Sequence, residues 1–425
     1  MLDLIVIGAG LTGLIAAYTA ARAGLKVKVI AKGLGALHWS AGTVDVLGYY
    51  PDERTLVQQP LQMIRELAKA RPNHPYALLD ETELTSALQS FAALAREIGL
   101  PYARQPGGAP LSVDENNLLL PSPVGAARPA FLAPQAQWAG DLRRTDPMLI
   151  VGLRGMRDFF PHLIADNLSK QQHPARAAFL PLDLITDRRD SNTVQLANGL
   201  DDPARRVRLA AELVKLVGPG ERIGLPAILG MAQHVAVMQE LQATTGAPIL
   251  EIPTLPPSVP GIRLNTALRG ELERRGVRVE VNMDIGSFHT EYGRITSVET
   301  VTSARPLSHR ADKFLLATGG ILGGGINTDH TGRVWEVVFD LPLATPAERN
   351  NWFRRRFLDS AGHPIFAGGV PVNRQFQPVR PDGTPVYANL WAAGGSLAYA
   401  DQIRERSMEG IAIATGVAAA SRLAA

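Results

Sequence analysis

Apolar residues fall in short bursts along this chain, and the most telling bursts end in glycine. Leu2 to Ile7 is apolar apart from Asp3, the pattern of a central parallel strand. Gly8 to Gly13 reads as a turn, Leu14 to Ala23 as an Ala- and Leu-rich helix closed by Gly24, and Val27 to Ile30 as a second strand. Together they make one βαβ unit of the expected length. From Tyr50 the period lengthens, and amphipathic helices are predicted over Thr55 to Ala70 and Glu81 to Ile98. Pro101 to Pro134 is rich in Pro, Gly and Asn and predicts loop with short strands.

The middle of the chain predicts a second α/β lobe. Leu149 to Gly152, Arg222 to Leu225 and Pro248 to Ile252 read as strands, and Met156 to Lys170 and Ala232 to Ala243 as helices. Thr254 to Pro260 is a proline-rich hinge before a helix over Ile262 to Arg275, ended by Gly276. Val277 to Val281 alternates like a strand, and Ile285 to Glu291 with Arg294 to Thr302 predicts a hairpin around Gly293. Phe314 to Ala317 runs into Thr318-Gly319-Gly320, Leu390 to Ala393 runs into Gly394-Gly395-Ser396, and Ser407 to Leu423 is a closing helix. The expected fold is α/β. A discontinuous Rossmann-like domain takes residues 1–50, 258–325 and 386–425, and a large inserted α/β lobe takes 51–257 and 326–385.

Composition narrows the function classes. The chain has 425 residues, 46% apolar and 20% charged, enough for a sizeable core. A net charge of +3 with scattered basic residues argues against nucleic-acid binding. The absence of cysteine excludes disulfides, thiolate zinc sites and cysteine-ligated iron–sulfur clusters. No secretory signal and no spanning stretch are read, so the expected place is the cytoplasm, with any membrane contact made through partner subunits.

Three strand-to-glycine junctions carry the chemistry. In Gly8-Ala9-Gly10-Leu11-Thr12-Gly13 the first glycine permits the turn, the second lets a pyrophosphate approach, and the third lets helix pack on strand. The helix N-terminus then faces the phosphate charge. The acid that commonly ends the second strand and binds the ribose is missing. Ala31, Lys32 and Gly33 stand there, which favours FMN over FAD. Ala317-Thr318-Gly319 and Gly394-Gly395-Ser396 are the second and third junctions, with Ser396 in the place of a ribityl-binding acid. The helix around Met408, with Glu409 and Gly410, would aim its N-terminus at the flavin ring. Ser40, Ala41, Gly42 and Thr43, in His38-Trp39-Ser40-Ala41-Gly42-Thr43-Val44-Asp45, are ring or phosphate contacts. His38 is a candidate base, and is read equally well as a loop histidine with a structural hydrogen bond.

The segments Ala36 to Leu47 and Pro253 to Leu264 closely resemble those of the B subunit of anaerobic glycerol-3-phosphate dehydrogenase. His74-Pro75-Tyr76, Leu78-Leu79, Ala317 to Gly320 and Gly323 to Gly325 are similar too, in matching order. The resemblance implies oxidation of glycerol 3-phosphate to dihydroxyacetone phosphate. It also implies an FAD-containing catalytic subunit and an iron–sulfur membrane-anchoring subunit as partners, with FMN in this chain and electrons passing to membrane quinone. Asp401 to Gly410 departs from the glycine- and cysteine-rich stretch expected of the family.

Alcohol oxidation on a flavin needs a base, a hydride acceptor and cations for the phosphate. His38 is the candidate base, and Arg263, Arg404 and Arg406 are candidate cations. Arg354-Arg355-Arg356 reads as a solvated face or subunit contact. Two other readings stay open: a stand-alone flavin oxidoreductase on another hydroxy or amino substrate, and a non-catalytic flavin-binding assembly subunit.

Overall fold

The computed structural model describes residues 2–51, 55–103, 114–301 and 305–425. Residues 104–113 of the proline-rich stretch, and Thr302 of the hairpin, lie outside these.

The N-terminal unit forms as its pattern dictates: β1 (Leu2–Ile7), α1 (Leu11–Arg22) and β2 (Val27–Ile30). Helix α1 starts three residues before the predicted Leu14, because Leu11, Thr12 and Gly13 of the turn enter the helix directly after Gly10. Next come α2 (Pro60–Ala70) and α3 (Glu81–Glu97). A capping box starts α3: the Asp80 carboxylate accepts from the Glu83 amide at 2.8 Å, and Glu83 accepts from the Asp80 amide at 2.9 Å. The short strands β3 (Tyr102–Ala103), β4 (Leu118–Pro121), β5 (Ala127–Ala130) and β6 (Ala133–Pro134) pair antiparallel, β3 with β6 and β4 with β5.

A second, parallel sheet follows. Its elements are β7 (Met148–Arg154), α4 (Pro161–Lys170), β8 (Ala175–Pro181), α5 (Thr193–Leu200), α6 (Pro203–Leu216), β9 (Arg222–Pro226), α7 (His234–Thr245) and β10 (Ile249–Ile252). The strand order is β10-β9-β7-β8, with its own apolar core around Leu149, Ile150, Ile223 and Leu250.

The chain then returns to the first sheet. Helix α8 (Val259–Arg274) begins inside the proline-rich hinge, because Ser258 caps it by accepting from the Gly261 amide and Pro260 is tolerated in a first turn. Strands β11 (Arg278–Glu280), β12 (Asp284–Glu291), β13 (Arg294–Val301) and β14 (Leu307–Leu316) follow. The β12–β13 turn holds Tyr292 and Gly293 at φ 50° and 75°, the paired positive values of a tight hairpin. A small pair, β15 (Ile326–Thr328) and β16 (Val334–Glu336), precedes β17 (Leu390–Ala392), α9 (Gln402–Glu405) and α10 (Met408–Ala424).

The main sheet runs β11-β2-β1-β14-β13-β12, and β17 also pairs with β14. Strand β14 does two jobs. Its first half pairs antiparallel with β13, and its second half lies parallel between β1 and β17. The carboxyl ends of β1, β14 and β17 therefore meet at one edge, where ligands of parallel α/β sheets bind. The fold is a two-lobe, Rossmann-like architecture.

Candidate active site

The three glycine junctions come together at that edge. A side-chain carbon at Gly8 would lie 2.2 Å from the Ala317 carbonyl oxygen, one at Gly394 would lie 2.0 Å from Thr12 Oγ1, and one at Gly320 would lie 2.3 Å from the Gly395 carbonyl oxygen. Each contact is possible only because a Cβ is missing. Gly13 is equally constrained, 1.9 Å from the Gly8 carbonyl oxygen. Gly10 differs: nothing stands within 4 Å of where its Cβ would be. Helix α1 starts at Gly10 with no side-chain cap and no acid in its first turn. That leaves amide donors and a positive helix end facing open space, a cradle for pyrophosphate. Thr318 Oγ1 is buried without a hydrogen-bond partner beside these loops. The donor set fits a dinucleotide.

Segment 36–47 packs against the start of α8. The Ser258 amide donates to the His38 carbonyl at 2.8 Å, a Cβ at Gly261 would lie 1.8 Å from the Leu37 carbonyl oxygen, and one at Gly42 would lie 2.4 Å from Pro260 Cβ. Ser40 Oγ accepts from the Gly42 amide at 3.2 Å, and the Ala41 carbonyl accepts from Gln137 Nε2 at 2.8 Å.

Beyond Thr43 lies a buried charge cluster. Thr43 Oγ1 donates to Asp45 at 2.8 Å and accepts from Arg128 Nη1 at 2.7 Å. Arg128 Nη2 also donates to Gln137 Oε1 at 3.2 Å, and Arg406 donates to the other Asp45 oxygen. The Gly410 amide donates to the Asp45 carbonyl at 3.0 Å, so the start of α10 is seated on this same turn. Burial pushes the Arg128 guanidinium down to about 10, against the pull of Asp45. Burial also opposes the charge on Arg406, but Asp45 and Glu409 together raise its pKa. Glu409 is pushed up to about 8, by burial first and then by the Asp45 charge. A second buried pair flanks the first. Tyr76 N–H donates to His74 Nδ1 at 3.2 Å, so His74 carries its proton on Nε2 and donates it to Glu405 Oε2 at 3.1 Å.

The expected site residues divide accordingly. Gly8, Gly10, Leu11, Thr12, Gly13, Ala317, Thr318, Gly319, Gly394 and Gly395 share the sheet edge, and Thr43, Arg406, Glu409 and Gly410 share the charge cluster. Ser396 is fully buried, and its hydroxyl donates to the Ala393 carbonyl at 3.0 Å, which occupies it within its own turn. Lys32 is exposed and ion-paired with Asp284 at 2.8 Å, and Gly33 is exposed beside it. Arg263 is corrected as a phosphate ligand. It is buried, donates to both oxygens of Glu251 at 2.8 Å and to the Gly230 carbonyl, and so clamps α8 to the second lobe. Arg404 Nη1 donates to the Ala361 carbonyl at 2.7 Å. Sequence reasoning misses Asp45 as a charge anchor, Arg128, Gln137 and Glu405. Asp45 ends the His38–Asp45 motif, whereas Arg128 is a lone arginine in a stretch with no pattern to mark it.

The chain matches the family model of the FAD binding domain over residues 3–407. The B subunit of anaerobic glycerol-3-phosphate dehydrogenase from Yersinia pseudotuberculosis is 31% identical over 430 residues, covering 99% of this chain and 97% of the relative. The chain belongs to this family. The corresponding B subunit of Aliivibrio fischeri is 30% identical over 445 residues, covering 99% of this chain and 95% of the relative. A Halobacterium salinarum protein, named as a probable B subunit of the same enzyme, is 31% identical over 435 residues, covering 99% and 97%. Like the family, this chain is a flavin-binding oxidoreductase subunit of a multi-subunit system, and with no cysteine it holds no cysteine-ligated iron–sulfur cluster of its own.

The match corrects the flavin. The missing acid after β2 favours FMN, but an FAD binding domain spans nearly the whole chain, and the flavin is FAD. The physical reason is that a ribose-binding acid supplies one hydrogen bond, whereas the pyrophosphate cradle at Gly10 and α1 is intact without it. Ala31 at that position is buried and engages only backbone, donating to the Glu280 carbonyl and accepting from the Met283 amide. Among the described residues no helix is long and apolar enough to cross a membrane.

Proposed function

We propose that this chain is the flavin subunit of an enzyme that oxidises sn-glycerol 3-phosphate to dihydroxyacetone phosphate. Its electrons then pass through an iron–sulfur partner subunit to membrane quinone, beside a larger FAD-containing subunit. The observation that supports this most is the meeting of three glycine junctions around the uncapped start of α1, in a chain alike over its whole length to B-subunit relatives.

Gly8, Gly10, Leu11, Thr12 and Gly13 would hold the pyrophosphate through backbone amides at the uncapped start of α1. Bound FAD supplies the hydride acceptor. Arg406 and Arg128, fixed by Asp45 and Thr43, give the cluster its positive face, which favours an anionic substrate and a reduced, anionic flavin. Glu409, protonated at neutral pH, keeps that face from being neutralised. His38 is the base proposed for the substrate hydroxyl; its ring stands half-exposed on the loop before Ser40.

The test is anaerobic bleaching of the flavin by glycerol 3-phosphate in the chain alone and in the reconstituted complex. Bleaching in the complex that is slowed by Arg406→Ala supports the reading. Bleaching by another hydroxy or amino substrate with the chain alone, and none by glycerol 3-phosphate, overturns it.

A further inference from the structure

The loop 349–363 carries an exposed motif that the flavin site does not use. Its sequence places Arg354, Arg355 and Arg356 between Phe353 on one side and Phe357 and Leu358 on the other. The loop is ordered from within. Trp352 is buried and its indole N–H donates to the Pro346 carbonyl at 3.1 Å. His363 Nδ1 accepts from the Arg354 amide at 3.1 Å, and its Nε2 donates to the Phe357 carbonyl at 2.9 Å. Phe353 meets the His363 and Phe366 rings edge-on at 5.5 and 6.1 Å. Arg404 on α9 reaches the Ala361 carbonyl, which fixes the base of the loop beside the element that leads into Arg406.

This scaffold holds its tip in water. Phe357 is 89% exposed and Leu358 85% exposed, beside a half-exposed Phe353. Arg354 has Asp359 at 3.9 Å, while Arg355 and Arg356 have no ion-pair partner among the described residues. Large apolar side chains on a hydrogen-bonded tip are not explained by folding, which leaves them uncovered. Their chemistry selects the partner. A specific protein interface takes roughly 20 residues a side, many more than this tip offers. An anionic bilayer surface needs only a few aromatic and aliphatic side chains to enter the interface and free cations to meet lipid phosphates.

We infer that the 353–358 tip docks this chain directly on an anionic membrane surface, with Phe357 and Leu358 entering the interface and Arg355 and Arg356 binding headgroup phosphates. The contact is independent of any anchoring by partner subunits.

The test is sedimentation of the full flavin-loaded chain with vesicles of phosphatidylglycerol and phosphatidylcholine, against phosphatidylcholine alone, at about 0.15 M salt. Binding to the anionic vesicles only is expected. It should fall at least about tenfold in Arg355→Glu/Arg356→Glu, and comparably in Phe357→Ser/Leu358→Ser. Emission of a Phe357→Trp variant should shift to the blue on the same vesicles. These positions are on the surface, and an unchanged melting curve and flavin spectrum confirm intact variants. No binding of the wild-type chain to anionic vesicles overturns the inference, as does unchanged binding of both double variants. So does loss of partner-subunit association with vesicle binding intact, which makes the tip a protein contact.

Discussion

Arg406 and Asp45, 361 residues apart, share a hydrogen-bonded ion pair that ties the start of the last helix to the loop after the first βαβ unit. Arg406 makes it from a left-handed backbone, φ 49°, a conformation that a long side chain adopts only where its surroundings impose it. Gly48 leaves room for it, since a Cβ there would lie 2.9 Å from Arg406 Cβ.

Breaking this pair from the acid side should be costly. Asp45→Asn leaves Arg406 and Arg128 without their shared anion. The expected loss is about 2–4 kcal/mol in urea unfolding, short of a wholly buried pair because Arg406 keeps part of its surface in water. The same variant should lower the pKa of Glu409, whose proton the Asp45 charge helps to hold. An Asp45→Asn protein as stable as wild type would mean that the pair contributes nothing to the fold.

The pH dependence has a definite sign. Glu409 rises from its ordinary 4.5 to about 8, so the folded state holds its proton more tightly than the unfolded chain. Its contribution is full below 4.5 and is lost as pH rises through 8. His234 moves the other way. Burial, then Arg263, lowers it from 6.5 to about 4, so its contribution is present above 6.5 and is lost as pH falls through 4. Between pH 6.5 and 8 Glu409 dominates the two, and stability should fall as pH rises. Glu409→Gln should flatten that slope, as read from denaturant midpoints at the two ends.

Two glycines three residues apart should respond differently. Gly13→Ala puts a methyl group 1.9 Å from the Gly8 carbonyl oxygen and should destabilise the fold by about 3 kcal/mol. Gly10→Val starts from a site where a Cβ meets nothing within 4 Å, at an ordinary φ of −75°. It should melt like wild type without flavin, yet bind flavin at least about tenfold more weakly. Fluorescence titration and thermal melts on the apo chain separate the two effects.

Arg263 and Glu251 form a structural clamp between α8 and the second lobe. Arg263→Met strands a fully buried carboxylate and should cost about 3–5 kcal/mol. Adding Glu251→Gln should recover part of it, because the stranded charge is gone. A double-mutant cycle of denaturant melts measures the coupling.

The parallel half of the main sheet is legible because β1, β14 and β17 each run into a glycine turn, and those turns must meet if each glycine exists to clear a neighbour's backbone. Gly8 with Ala317 and Gly394 with Thr12 are such pairs. Strand β8 and helices α5 and α6 are not legible, since Ala175–Pro181 opens with small and basic residues and Thr193–Leu216 contains an Asp-Asp-Pro break that hides two capped helices as loop. The charge cluster is half legible. Thr43, Arg406 and Glu409 stand in motifs, but their convergence on Asp45 and Arg128 is a long-range packing fact that no local spacing encodes. Arg263 misleads because a guanidinium in a family-specific segment suggests a phosphate, while the acid that claims it lies 12 residues upstream in an apolar strand.

Bound cofactor tests the central claim most directly. The purified chain is treated with acid and the released flavin is identified by mass and quantified per chain, with the Gly10→Val protein treated in parallel. Close to one FAD per wild-type chain is expected, with a large loss in the variant. Release of FMN, or a colourless wild-type chain that takes up no flavin on titration, would contradict the assignment of this chain as an FAD-binding subunit.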